Sequence, residues 1–147
     1  MAWVTDDLAV SGSLHPRHFP QLSDLGVTAV VDMRQEGSDD PDLLARHGIG
    51  FLHLPVRNMY PPTQEQLQRG AGWLLDELGQ GGKALVHCKD GIGRSVSLAA
   101  CVLMTRGYDM DSALALIRSV RWGVALRRRQ REALREFERG LGPPPGT

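Results

Sequence analysis

The chain predicts an α/β fold: a mainly parallel central sheet of four or five strands flanked by helices on both faces. Three observations lead there. Apolar or β-branched runs at Val27–Val31, Phe51–Val56 and Ala84–Val86 are separated by stretches with helical patterning. The first run, Val-Thr-Ala-Val-Val, reads as a strand buried on both faces. The segment Val96–Met104 is apolar almost all round, which suits only a helix at the centre of the molecule.

In chain order, Trp3-Val4 and Leu8-Ala9-Val10 flank the turn-prone pair Asp6-Asp7 and read as an initial hairpin. The strand at Val27–Val31 follows Gly26. The next, Phe51–Val56, contains Pro55, which cannot donate to a ladder and so marks a strand end or a sheet edge. A helix then opens at Pro62-Thr63-Gln64-Glu65-Gln66, with Thr63 as N-cap and Gln66 reaching back. Leu67, Ala71, Leu74, Leu75 and Leu78 form its apolar stripe, and Gly79–Gly82 end it. After the strand Ala84–Val86 and the central helix, further helices are expected from Asp111 through Val120 and around Leu126, Gln130, Leu134 and Phe137. Residues 1–141 make a single domain, and 142–147, with Pro143-Pro144-Pro145, a flexible tail.

Composition narrows the function. The 41% hydrophobic and 23% charged fractions are those of a globular protein. Lys+Arg and Asp+Glu both number 17, so no global field directs the chain to nucleic acid or to an anionic membrane. The N-terminus lacks a signal pattern, and the apolar run around Leu98–Met104 is too short to span a bilayer. Cys88 and Cys101 are too few for a disulfide framework or a Cys-rich zinc site. A soluble, cytoplasmic monomer with no metal or cofactor is expected.

The chemistry concentrates in Val86-His87-Cys88-Lys89-Asp90-Gly91-Ile92-Gly93-Arg94-Ser95. A thiol ends an apolar strand, a guanidinium follows six positions later, and a buried helix begins. Backbone N–H groups of a tight loop entering a helix N-terminus converge on an anion. Gly91 and Gly93 are expected to supply positive φ and close approach. Arg94 adds a planar fork for two phosphate oxygens. The same dipoles and cation favour the thiolate of Cys88, and Ser95 is suited to donate a hydrogen bond to the sulfur. Substrate contacts are assigned to the loop from Lys89 through Asp90, Gly91, Ile92 and Gly93 to Arg94. Phosphomonoester hydrolysis is the reaction these residues fit, with a phosphorylated protein or small phosphomonoester as substrate.

On these residues the chain resembles the cysteine-based protein tyrosine phosphatases of the compact dual-specificity type, with their His-Cys-x5-Arg-Ser signature. Trp3-Val4 with Leu8–Gly12, the strand Val30–Arg34 and the closing helix with Gln130, Leu134 and Phe137 extend the likeness over Val4–Phe137. The resemblance implies Cys88 as nucleophile through a phospho-cysteine intermediate, Arg94 as phosphate binder and no metal. A sulfurtransferase of the rhodanese type is disfavoured by the five-residue spacing and by Ser95.

One position departs from the family pattern. Where relatives carry an aspartate general acid, this chain has Asn58, in the sequence Arg57-Asn58-Met59-Tyr60. An amide cannot protonate a leaving alkoxide, and losing general acid catalysis costs about 10²–10⁴-fold. Three accounts stand: Asp90 donates the proton from within the loop, without motion; Asp39, Asp40 or Asp32 swings in; or the chain is a slow enzyme or a phosphate- or phosphopeptide-binding pseudophosphatase. Lys89 resembles the residue after the nucleophile in some phosphoinositide phosphatases, but Ile92 lacks their second loop cation. Arg57 is placed to touch substrate at the rim, and the run Arg127-Arg128-Arg129 with Arg131 to dock acidic partners or phosphorylated peptides; a solvated surface is the commoner case for both, the run being partly balanced by Glu132, Glu136 and Glu138. Cys101 reads as core.

Overall fold

The computed structural model describes residues 1–143; the expected tail lies outside the described residues from position 144 onward. Five strands form one sheet: β1 (Ala2–Trp3), β2 (Leu8–Ser11), β3 (Val27–Arg34), β4 (Gly50–Val56) and β5 (Lys83–His87), in the order β1-β2-β5-β3-β4. Only the β1–β2 hairpin is antiparallel, with Ala2 opposite Val10. The other three pairings are parallel, as the alternation of strands and helices requires.

Helices cover both faces. On one side α3 (Gln64–Gly79), α4 (Arg94–Thr105), α5 (Met110–Val120) and α6 (Arg128–Gly140) enclose a core that includes Val10, Val31, Leu54 and Val86. On the other, α1 (Phe19–Asp24) and α2 (Pro41–Arg46) bury Phe19, Leu22 and Leu44 against Ala9, Val30 and Leu85. Neither α1 nor α2 is expected from the sequence. Each has six residues, too few to display a 3.6-residue period.

The parallel register is what builds the site. Ser11 lies opposite His87, His87 opposite Asp32, and Arg34 opposite Val56. The carboxyl ends of β2, β5, β3 and β4 therefore open side by side, and the loops leaving them share one edge of the molecule. Pro55 sits on β4, which is an edge strand as expected.

Two local devices hold this edge in place. The capping box of α3 forms as the sequence suggests: Gln66 N donates to Thr63 Oγ1 at 3.1 Å and Thr63 N to Gln66 Oε1 at 3.0 Å. Such a cap contributes about 1 kcal/mol. All residues of α4 except Thr105 are buried, so the helix that opens at Arg94 is fixed along nearly its whole length. Truncating Leu98 there would cost about 2–5 kcal/mol.

Candidate active site

The loop 88–93 joins β5 to the first turn of α4, and its carbonyls are held from outside. Ser13 N donates to Lys89 O at 2.9 Å, and Arg121 donates from Nη2 to Asp90 O at 2.8 Å and from Nε to Gly91 O at 3.2 Å. Ala125 N donates to Ile92 O at 3.2 Å, and Ser97 N to Gly93 O at 2.9 Å. In a planar trans peptide the C=O of one residue opposes the N–H of the next. Carbonyls drawn outward turn the opposing amides away from those outside partners. Gly91 N accordingly donates to Cys88 Sγ at 3.2 Å. The result is an anion cradle.

Gly91 has φ of +70°, and a Cβ there would lie 2.5 Å from Ser11 C and 2.7 Å from Gly12 N. Neither backbone atom can yield, so the position requires glycine on two counts. Gly93 differs from expectation: its φ is −134°. A Cβ would stand 3.1 Å from the Gln130 amide.

Cys88 is 3% exposed at the base of the cradle, and its thiol donates to Ser95 Oγ at 3.3 Å; a thiolate in the same place would accept from that hydroxyl. Arg94 is 2% exposed. Its Nη1 and Nη2 donate to the two Glu36 carboxylate oxygens at 2.7 and 2.8 Å, and Nη1 also reaches Val56 O at 2.6 Å. A guanidinium offers five N–H donors in a plane. With one edge occupied by Glu36, the Nε edge stays available for an anion in the loop. Glu36 also steadies the cation: its hydrogen bonds, more than the nearby Cys88 sulfur, raise the Arg94 pKa. In return the Arg94 hydrogen bonds lower the Glu36 carboxyl from its ordinary 4.5 to about 2. A carboxyl depressed in this way favours the folded pair above 4.5 and loses that contribution as pH falls toward 2, so the pair is intact at neutral pH.

His87 points away from the cleft. Its Nε2 hydrogen-bonds Asp39 Oδ2, while Nδ1 is the one buried side-chain polar atom without a partner among the described residues. Arg34 bridges the carboxylates around it, donating to Asp32 Oδ2 at 2.8 Å and to Asp39 Oδ1 at 3.3 Å. Burial alone would raise the Asp32 carboxyl; the Arg34 hydrogen bonds, with the surrounding charges, hold it below the usual carboxylate range. Asp32, Asp39 and His87 lie close enough to suggest a cation site, but Arg34 already supplies positive charge between the two carboxylates. This network ties the loop that carries Glu36 to the residue preceding Cys88.

The candidate proton donors separate cleanly. Asp90 is exposed and lines the cleft with Cys88 and Arg94. Asp32 and Asp39 are locked in the Arg34 network, and Asp40 caps α2 through Asp42 N and Leu43 N. None of these three lines the cleft. Asn58 does, beside Met59, whose φ of +71° is held by a pinned loop. The Arg57 and Arg129 guanidinium groups stack on the Tyr60 ring, 4.6 and 4.2 Å from its centroid. Lys89 contributes its carbonyl; its side chain is exposed and does not line the cleft, whereas Ile92 does. Cys101 is buried on α4, and burial pushes its thiol up, so it is chemically quiet.

Several site residues are not legible in the sequence: Glu36, Arg121, Ala125, Arg127 and Gln130. The only local signal is that Glu36 follows shortly after the end of β3, where a parallel sheet places ligand-binding loops.

The chain is 30% identical over 127 residues to the human phosphatidylglycerophosphatase and protein-tyrosine phosphatase 1, covering 82% of this chain and 63% of that protein. It is 28% identical over 126 residues to the phosphatidylglycerophosphate phosphatase PTPMT1 of Arabidopsis thaliana, covering 83% and 37% respectively. The chain thus spans less than two thirds of the length of either relative. Among solved structures, the active form of Tk-PTP superposes with a TM-score of 0.86 at 29% identity, covering 94% of this chain and 96% of that one. Human DUSP28, at 23% identity and a TM-score of 0.84, covers 96% and 97% and shares the fold. Residues 3–138 match the DSP-PTPase phosphatase domain of the Swiss Army Knife proteins (PTP-SAK), and by that match the chain belongs to the dual-specificity branch of the cysteine-based tyrosine phosphatase superfamily.

Proposed function

We propose that residues 1–141 form a catalytic domain that hydrolyses phosphate monoesters through a phospho-cysteine at Cys88, with phosphotyrosine and phosphoserine or phosphothreonine of proteins as substrates. One observation carries the reading: four consecutive loop carbonyls, Lys89 to Ile92, are engaged from outside the loop, and Gly91 N donates to the sulfur. The Cys88 thiolate attacks phosphorus while the amides and Arg94 hold the non-bridging oxygens. Protonated Asp90 gives its proton to the departing oxygen and, as a carboxylate, takes one from the water that cleaves the S–P bond. Ser95 donates to the sulfur as it leaves. The two unpaired thiols support a cytoplasmic setting.

A lipid phosphomonoester is the second reading. It is favoured by the relatives named as phosphatidylglycerophosphate phosphatases, one of which is also named as a protein-tyrosine phosphatase.

The test is to quench turnover of a phosphate-labelled phosphotyrosine peptide in acid and digest the protein. Label is expected on the Cys88 peptide; label on another side chain, or turnover without label, overturns the reading. Asp90→Asn tests the donor. It is expected to slow phosphoserine substrates about 100-fold and p-nitrophenyl phosphate, whose leaving group needs little protonation, by less than about tenfold. Equal slowing of both would assign Asp90 to shaping the loop.

A further inference from the structure

Eight arginines lie between Arg118 and Arg139. Their charge does not cancel as an exposed helix face would suggest, because the structure sorts them. Arg121 holds the loop carbonyls, while Arg127 and Arg129 turn toward Met59 and Tyr60 beside the cleft. Arg118 of α5 and Arg128, Arg131 and Arg135 of α6 instead line a single groove between those helices. The last three fall at i, i+3 and i+7, one stripe along α6.

The acids expected to balance them are otherwise placed. Glu132 pairs with Arg128 at 3.1 Å, but Glu138 accepts from Met110 N at 2.6 Å, and Glu136 does not line the groove. Asp111 is the remaining carboxylate in it. Four guanidinium groups thus face two carboxylates, and Arg118, Arg131 and Arg135 form no ion pair among the described residues. In a chain of zero formal charge this excess is local.

Position gives the groove its meaning. Arg127 lines the cleft and its neighbour Arg128 lines the groove, so the N-terminus of α6 serves both. From Arg128 to Arg135 the groove follows α6 for about 10 Å, at 1.5 Å per residue. That is the span of about three extended residues. The floor includes Leu114, which is buried.

We propose that this groove docks an acidic segment of a phosphoprotein substrate, flanking the phosphorylated residue held over Cys88. The proposal rests on the protein-phosphatase reading of the cleft. A concave trough with arginines on both walls accepts an extended chain, whose carboxylates the guanidinium forks can grip in pairs.

The test uses two measurements on the full chain. Binding is read on Cys88→Ser with phosphotyrosine peptides that carry an Asp/Glu-rich or a Ser/Gly-rich flank on either side. The acidic peptide is expected to bind about tenfold more tightly at moderate salt, with the difference shrinking as salt rises. Adding Arg118→Gln, Arg131→Gln and Arg135→Gln should abolish the difference. The same three changes in the Cys88 enzyme should leave p-nitrophenyl phosphate turnover unaltered, which also reports an intact fold. No flank preference, or a preference that survives the three changes, overturns the proposal. Binding to phosphatidylserine vesicles that is lost with these arginines, without any peptide preference, reassigns the groove to a membrane and equally overturns it. Failure to label Cys88 in the turnover assay would count against the activity and not the groove, because docking is read on the inactive variant.

Discussion

Exchanging Cys88 for serine is expected to lower turnover of p-nitrophenyl phosphate on the order of 10⁴-fold or more, with the fold intact. The size follows from what surrounds the sulfur. Its hydrogen-bond partners are Gly91 N–H and the Ser95 hydroxyl, both suited to stabilise an anion already formed. Neither can remove a proton. The nearest imidazole in sequence, His87, is turned toward Asp39, and Asp32 and Asp39 are held by Arg34. A serine hydroxyl needs a general base, and Asp90, the remaining acid at the cleft, holds the proton for the leaving group in that step and cannot also serve as one. Steady-state kinetics beside thermal unfolding checks the prediction. A serine variant that keeps more than about a hundredth of the parent rate would mean that another group attacks phosphorus.

The parts of this site that lie together in the chain were legible in the sequence; the parts joined by topology were not. Cys88, Asp90, Gly91, Arg94 and Ser95 fall within eight consecutive positions, so their chemistry can be read from spacing alone. The strands were legible because burial on both faces leaves continuous apolar runs, and α3 because Thr63 and Gln66 make its cap explicit. Glu36 reaches Arg94 across 58 residues, and Arg121 reaches the loop carbonyls across 30 and 31. These contacts depend on which strand ends lie next to one another, and no local pattern states the order β2-β5-β3-β4. Gly93 shows the same limit at short range. A Cβ there would press on the Gln130 side chain from α6, a contact invisible in the motif itself.

The arginine of the loop provides the second large effect, and it separates charge from shape. Arg94→Lys keeps the positive charge in a site that is 2% exposed, yet kcat/KM for p-nitrophenyl phosphate is expected to fall about 10³-fold. Arg94 already uses Nη1 and Nη2 to hold both oxygens of Glu36, and Nη1 again on Val56 O. Its planar fork lets one residue anchor itself on that side and present a second edge to phosphate. A lysine ammonium is a single point with three donors. Directed at Glu36 it abandons the phosphate, and directed at the phosphate it leaves Glu36 and Val56 O without their partner. Were charge alone the requirement, the loss would stay below about tenfold, since the Coulomb attraction is retained. Glu36→Gln, which preserves the shape of the anchor and removes its charge, should give an intermediate loss. A lysine variant close to the parent, measured alongside it, would show that the second edge of the guanidinium is not what binds the transition state.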